Sequence, residues 1–390
     1  MKRLTLGSRG SPRSHRARRH PGEFSALAQA HGLALSTGDT SSVGFGGLAT
    51  GGGIGFRVRK YGLTIDNLLA AQVVTAAGKV VTASATEHPD LFWAIRGGGN
   101  FGIVTEFTVR LAEVGQILGG DLVLPASREV IRGYLDYAAD APDELTTIAQ
   151  VMHAPPAPCI PETHGGELVL SVLVTWAGSE SEGQRALAPL RALAMPVADA
   201  VGLMPYPAIF NFTAHQAVPI CHTIRTVFTR EVSDAVVDIA LDAVEHVSSP
   251  FSMVQFRGLG GAMARVEAEA TTSAHRDARD MVTALALWMD ESEDATPHRT
   301  GMGAVWPAIR AGVLGQTSTS WRTRSPTGCA RPTRYRHWPG WPRSSASTIR
   351  STWSGSTTTS LQRCALERLE TVKPSHAARG GRLIRPHSSL

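Results

Sequence analysis

Apolar and polar positions recur with two different periods along the chain, and the periods mark out its elements. Glu23–Leu33 (EFSALAQAHGL) places apolar residues at helical spacing and ends at a glycine, which predicts a helix. Phe101–Leu111 (FGIVTEFTVRL) alternates and reads as a strand. Shorter strands are expected at Ala70–Thr75 and Lys79–Ala83, with Ala77-Gly78 as the hairpin turn between them. Pro89–Ile95 reads as a short helix opened by an acid and broken at Gly97–Gly99. From about residue 116 the texture changes. Helices at Ser127–Ala139, Ser181–Leu193 and Val232–Val247 lie between alternating strands, among them Glu167–Trp176, Thr223–Thr229 and Ser252–Leu259. No internal repeat is visible. This order predicts an α+β chain with a domain boundary near 115.

The periodicity stops near residue 317. Residues 317–360 are crowded with Ser, Thr, Arg, Trp and Pro and hold four of the eight tryptophans (Trp321, Trp338, Trp341, Trp353) without an aliphatic pattern around them. That composition suits neither a core nor a disordered tail, which is poor in tryptophan. A slip of reading frame near Gly315–Thr317 accounts for it. Joining the last base of each codon to the first two of the next lets Ser318–Ala330 read VNFLADEVADRVR and Ser347–Leu361 read QHDPVNVVRFNHNIP. In the other frame Gly10–Arg19 reads DPRAATVRVG. The alternative at both ends is an ordinary basic, disordered terminus. We therefore expect four segments: 1–22 out of frame or disordered, a domain over 23–115, a second over 116–315, and 316–390 out of frame or disordered.

Charge follows the same division. The net charge is +5, but residues 1–22 carry +7 and 311–390 carry +11, so 23–310 carry −13. A basic field confined to the two ends argues against nucleic acid as a partner. The 390 residues are 43% apolar, ample for two cores. No run approaches the ~18 apolar residues of a membrane span, and no apolar stretch with a small-residue cleavage site follows the basic start. We expect a cytoplasmic protein with no membrane partner. Four cysteines without a CxxC pair give no expectation of a disulfide scaffold or a metal site.

The run GFGGLATGGGIG (Gly44–Gly55) is the most informative local feature. Glycines let a backbone approach a ligand closely and turn its N–H groups toward an anion. No Gly-Lys-Ser/Thr follows, so it is not a Walker loop, and it lacks the strand–turn–helix setting of a Rossmann fingerprint. Alone, a tight packing contact explains it as well as a phosphate cradle does. Its neighbours add the linked motifs GGLATGGGIG, RKYGLTIDNL, DLFWAIRGG and NFGIVTEFTVRL in that order.

With these motifs, Gly46–Leu111 resembles the FAD domain of the vanillyl-alcohol oxidase / p-cresol methylhydroxylase superfamily, in its berberine bridge enzyme-like branch. A weaker likeness runs on through FRGLGGAMARV (Phe256–Val266) and AHRDARDMV (Ala274–Val282). The resemblance implies a partial p-cresol-methylhydroxylase-type FAD-binding domain. It implies also an α+β substrate domain built on an antiparallel sheet with helices on one side. By the same resemblance Thr40, Ser41, Ser42, Val43, Gly46, Gly47, Thr50, Gly51, Gly52, Gly53 and Gly55 wrap the FAD pyrophosphate and reach the flavin edge. Gly102, Ile103 and Val104 hold the adenosine half, and Asp66 and Asn67 pin a turn.

Departures from the family limit the carry-over. Some members attach flavin through a cysteine whose position is Thr40 here. The other attachment, a histidine in an Arg-Gly-Gly-Gly-His loop, would lie upstream of this chain, and neither His20 nor His31 replaces it. The activity implied is oxidation of a small organic or secondary-metabolite alcohol or amine, hydride passing to flavin and dioxygen taking the electrons. The alternatives are a sequestration protein for an aromatic metabolite and an inactive truncated product. No catalytic base is identified: Tyr206, His215, His222 and His275 are the candidates, with Phe210, Phe212, Phe251 and Phe256 as aromatic lining. Cys221 and His222, adjacent on a strand, face opposite ways and cannot pair. Resequencing the coding DNA from upstream of codon 1 to beyond codon 361 is expected to reveal the slip near codon 315. Recovery of the sequence as printed would overturn the frame argument.

Overall fold

The computed structural model describes residues 4–5, 13–16 and 20–316, except 99, 157–159, 218–220, 291, 304 and 311–312. The expectations for most of 1–22 and for 317–390, the frame slip included, lie outside the described residues.

The N-terminal half contributes, in chain order, β1 (Leu4–Thr5), β2 (Arg13–Arg16), α1 (Pro21–Gln29), β3 (Leu33–Ala34), α2 (Phe45–Thr50), α3 (Val58–Tyr61), a 3₁₀ turn (Thr64–Asn67), β4 (Leu68–Val74), β5 (Val80–Ser84), α4 (Pro89–Ala94), β6 (Ile103–Val109) and β7 (Ala112–Glu113). Five strands make an antiparallel sheet in the order β1-β2-β6-β4-β5, and β3 pairs with β7 apart from it. Pro21 opens α1 where no N–H is needed, and Phe24 and Ala28 turn inward one helical turn apart. Their core gathers Phe45 of α2 and Phe107 of β6, with the Phe45 and Phe107 rings edge to face at 5.4 Å.

The second half supplies β8 (Gln116–Pro125), α5 (Arg128–Ala139), β9 (Leu145–His153), β10 (Leu168–Trp176), α6 (Glu180–Arg191), β11 (Ala198–Asp199), β12 (Gly202–Pro205), a 3₁₀ helix (Tyr206–Ala217), β13 (Cys221–Thr229), α7 (Asp234–Glu245), β14 (Met253–Gly258), β15 (Asp280–Trp288), α8 (Ala295–Gly303), α9 (Val305–Arg310) and β16 (Val313–Gln316). Its nine-stranded sheet runs β11-β8-β10-β9-β14-β15-β13-β16, with β12 also on β8, and every pairing is antiparallel. Helices α5 and α6 start at Ser127 and Ser179, whose hydroxyls accept from Val130 N and Glu182 N as N-caps do.

Period two decides what each face of this sheet meets. Val151, Leu170, Val254 and Ala284 turn to one side and pack against Ile131, Leu190, Val237 and Val305 of the helices. The five helices thus cover one face, as the family resemblance implied. Ile148 and Leu173 turn to the other face, where Ala34, Phe56, Tyr206, Ile209 and Phe210 meet them. We call this second face the inner face, because it looks toward the glycine-rich segment.

Buried cations lock the halves together. Arg276, between β14 and β15, holds Asp66 with two bonds, Nη2 to Oδ1 at 2.7 Å and Nη1 to Oδ2 at 2.8 Å. The two side chains are 3% and 9% exposed. Arg59 of α3 donates to the carbonyls of Ala138, Ala141 and Leu259. Burial holds its guanidinium below the usual arginine range, although Asp143 pulls it back. Removing one member of a buried pair strands the other charge, which costs about 3–5 kcal/mol. Asp66→Asn and Arg276→Met are each expected to lose that much in urea unfolding, and the double variant less than the sum. Full additivity would show that the pair carries no coupling.

Candidate functional site

The glycine-rich run is fastened from below by the turn that follows it. Thr64 N donates to Gly53 O at 2.9 Å and Ile65 N to Gly52 O at 3.1 Å. Asp66 Oδ2 accepts from Leu63 N at 2.8 Å, and Asn67 Nδ2 donates to Tyr61 O and Leu63 O at 2.8 and 3.0 Å. Asp66 and Asn67 are therefore turn-pinning residues, as expected, with Arg276 added as the partner that sequence did not show.

The glycines divide by what surrounds them. A Cβ on Gly55 would lie 1.6 Å from Thr37 O, so two backbones cross there with no room for any side chain. Gly52 differs: it is buried, its φ is +117°, and a Cβ on it would meet nothing within 4 Å. That is the shape of a cradle, backbone beside open space in a conformation L side chains rarely adopt. Part of the run is helical, Phe45–Thr50 forming α2, which the density of glycine had hidden.

Thr40, Ser41, Ser42 and Val43 form the partly exposed strap ahead of α2. Gly22 N donates to Ser41 O at 3.2 Å, and His20 Nδ1 lies 3.2 Å from Val43 O, so the start of α1 braces this strap. His31 is exposed at the end of α1. Gly51 follows α2, and Gly97 N donates to Thr50 O at 3.0 Å, joining the loop before β6 to the run. Gly102, Ile103 and Val104 open β6, where Ile103 and Val104 sit opposite Val74 and Val73. Gly102 and Ile103 are exposed at that edge.

The substrate-half candidates separate. Tyr206 is fully buried; burial pushes its phenol up, while the Arg57 guanidinium, 5.3 Å from the ring, pulls it down. Phe210 packs with it, and Phe212 lies against the same cluster. Phe256 belongs to the helix-face core and Phe251 is exposed, so neither lines the inner face. His275, at φ +67°, stacks on Phe228 at 5.2 Å, and burial lowers its pKa. His222 points to the inner face opposite Leu287, while Cys221 packs on the helix-face core, so the two do point apart. The side chain of His215 lies outside the described residues.

The inner face holds polar residues that the sequence left unnoticed. Arg257 pairs with Asp39, the neighbour of Thr40, and donates to Gln255 Oε1 at 2.9 Å. Burial pushes the Asp121 carboxyl up to about 6, against the Ser171 hydroxyl that donates to it at 2.8 Å. Their signal was polar residues inside apolar strands, such as QV in β9 and QF in β14.

Residues 21–84 match the model of the FAD binding domain. The described fold superposes on 6-hydroxy-D-nicotine oxidase from Arthrobacter nicotinovorans with a TM-score of 0.69 and 28% identity, covering 81% of this chain and 70% of that one. The chain is similar to proteins named as FAD-linked oxidoreductases and oxidases. The (R)-6-hydroxynicotine oxidase of Paenarthrobacter nicotinovorans is 36% identical over 195 residues, which are 50% of this chain and 42% of that protein. The Physcomitrella patens BBE-like 1 protein shares the fold, at a TM-score of 0.69 and 22% identity over 80% of this chain and 70% of that one. The chain spans less than two thirds of the length of these curated relatives. Among its described residues no helix is long and apolar enough to cross a membrane, and no His/Cys/Asp/Glu cluster is arranged for a metal.

Gly55→Ala is expected to lower stability by about 1–3 kcal/mol, because backbone must move. Gly44→Ala, which meets open space at an ordinary φ of −69°, should shift it by under about 1 kcal/mol. Equal effects in thermal melts would show that the crossing at Gly55 is slack.

Proposed function

We propose that this chain binds FAD along Thr40–Val43 and Gly46–Gly55 and at Gly102–Val104. We read its activity as oxidation of a small organic alcohol or amine presented from the inner face of the large sheet, with dioxygen as acceptor. The observation that carries this reading is Gly52, a buried glycine at positive φ with open space beside its α-carbon, within a run the FAD-binding-domain model covers. Fixed backbone N–H groups in such a concavity favour a diphosphate. Bound FAD would supply the hydride acceptor.

The chain's own residues have three tasks. The strap Thr40–Val43, braced by Gly22, fixes one wall of the cradle. The inner face orients the substrate and excludes water. A carboxylate or imidazole takes the hydroxyl or amine proton as hydride leaves, and Asp121 and His222 are titratable groups turned to that face. Thr40 has a hydroxyl where a thiol would be needed, so this reading has no thioether at that position.

Expression of the chain with FAD is expected to give a yellow protein whose flavin is released by acid denaturation. Its visible band should bleach under anaerobic substrate and return with peroxide on aeration. Bound flavin that no alcohol or amine reduces would favour sequestration over catalysis. A colourless, cooperatively melting protein would overturn the reading altogether.

A further inference from the structure

One row of directly opposed residues on the inner face is polar across five successive strands: Ser171, Gln150, Gln255, Thr283 and Thr226. The first four are 4–7% exposed. Buried polar groups are costly unless paired, so each needs a partner. Ser171 donates to Asp121, Thr226 and Thr283 share a bond at 3.1 Å, and Gln255 Oε1 accepts from Arg257. Gln150, in the middle of the row and 5% exposed, makes no hydrogen bond with its amide among the described residues. Its neighbour Gln255 sits opposite it, with the two Cβ atoms about 4.5–5.5 Å apart in such a pair.

We propose that Gln150 and Gln255 are the substrate-contacting floor of the site, and that its ligand is a neutral molecule with hydroxyl or carbonyl oxygen on an apolar body. This rests on the oxidoreductase reading above and narrows it from alcohol or amine to alcohol. Two facing amides offer both donors and acceptors, the complement of a hydroxyl group. Arg257 and Asp39 are 5% and 18% exposed and neutralise each other, so this pair offers no spare charge to an ammonium or carboxylate. At the far edge Asp121 is two strands from Gln150 and engaged by Ser171. The adjoining row supplies the apolar contact, with Met253 and Leu285 directly opposed and Met152 packed against them.

Calorimetric titration of the full chain with benzyl alcohol, xylobiose and benzylammonium tests this, with flavin content read separately from the visible band. At least one of the neutral probes is expected to bind more tightly than benzylammonium. Gln150→Leu should weaken that binding by about fivefold to tenfold with melting temperature and flavin content unchanged, and Gln255→Leu by a similar factor with a lower melting temperature, because Arg257 Nη2 loses an acceptor. Gln150→Glu should shift the preference toward benzylammonium. Equal affinities in wild type and both leucine variants, a wild-type preference for the ammonium, or no binding of either neutral probe would overturn the floor. A flavin-free protein with Gln150-dependent binding would sink the oxidoreductase reading and leave the floor standing.

Discussion

The buried pair between Arg276 and Asp66 is the constraint on which the arrangement hangs. Asp66 sits in a turn whose backbone, through Thr64 and Ile65, holds the carbonyls of Gly53 and Gly52. Arg276 belongs to the segment that leads into β15, and also donates to Thr271 at 2.8 Å. One ion pair therefore sets where the glycine cradle lies relative to the large sheet. A hydrophobic contact of equal area would hold the halves together without fixing their register. The bidentate fork fixes distance and angle together, because each terminal guanidinium nitrogen meets its own carboxylate oxygen.

Strong local periods were legible in the sequence. Helices at Ser127–Ala139 and Val232–Val247 and strands at Glu167–Trp176 and Thr223–Thr229 lie within two residues of the observed α5, α7, β10 and β13. The linked motifs led to the FAD-binding fold, and the match over residues 21–84 agrees with them. Elements whose signal is local composition against geometry were hidden. Glycine disfavours helix by about 1 kcal/mol per residue, yet Phe45–Thr50 is helical because Phe45 and Ala49 bury one face. In β8 the Gly119-Gly120 pair lies inside a strand, and a Cβ on Gly120 would strike Ala200 O at 2.2 Å, so the glycine marks a close packing site there.

The inner face shows a different limit. A strand buried on both sides loses the alternation that reports an outside, so β9 (LTTIAQVMH) and β15 (DMVTALALW) carry no clean pattern. Gln150 and Gln255 look like ordinary polar breaks in such runs. Only the register, which sets Ser171, Gln150, Gln255 and Thr283 side by side, shows that they share one row. Register is a long-range property: β9 and β14 are about a hundred residues apart in the chain yet adjacent in the sheet. No window along the sequence contains that information.

The two buried ion pairs do different work for the same reason. Arg276 and Asp66 face each other within the seam, and Arg276 also meets Met263 O and Thr271 Oγ1. Arg257 and Asp39 lie where the seam opens onto that face, and Arg257 spends a further bond on Gln255. A guanidinium left alone there would draw anions, and a carboxylate alone would draw cations. Paired, they contribute a dipole and a fixed geometry without a net field. Under the proposed reading, selectivity on this face would rest on hydrogen-bond geometry and shape, which the rigid sheet transmits, more than on the long-range attraction that the acidic middle of the chain exerts.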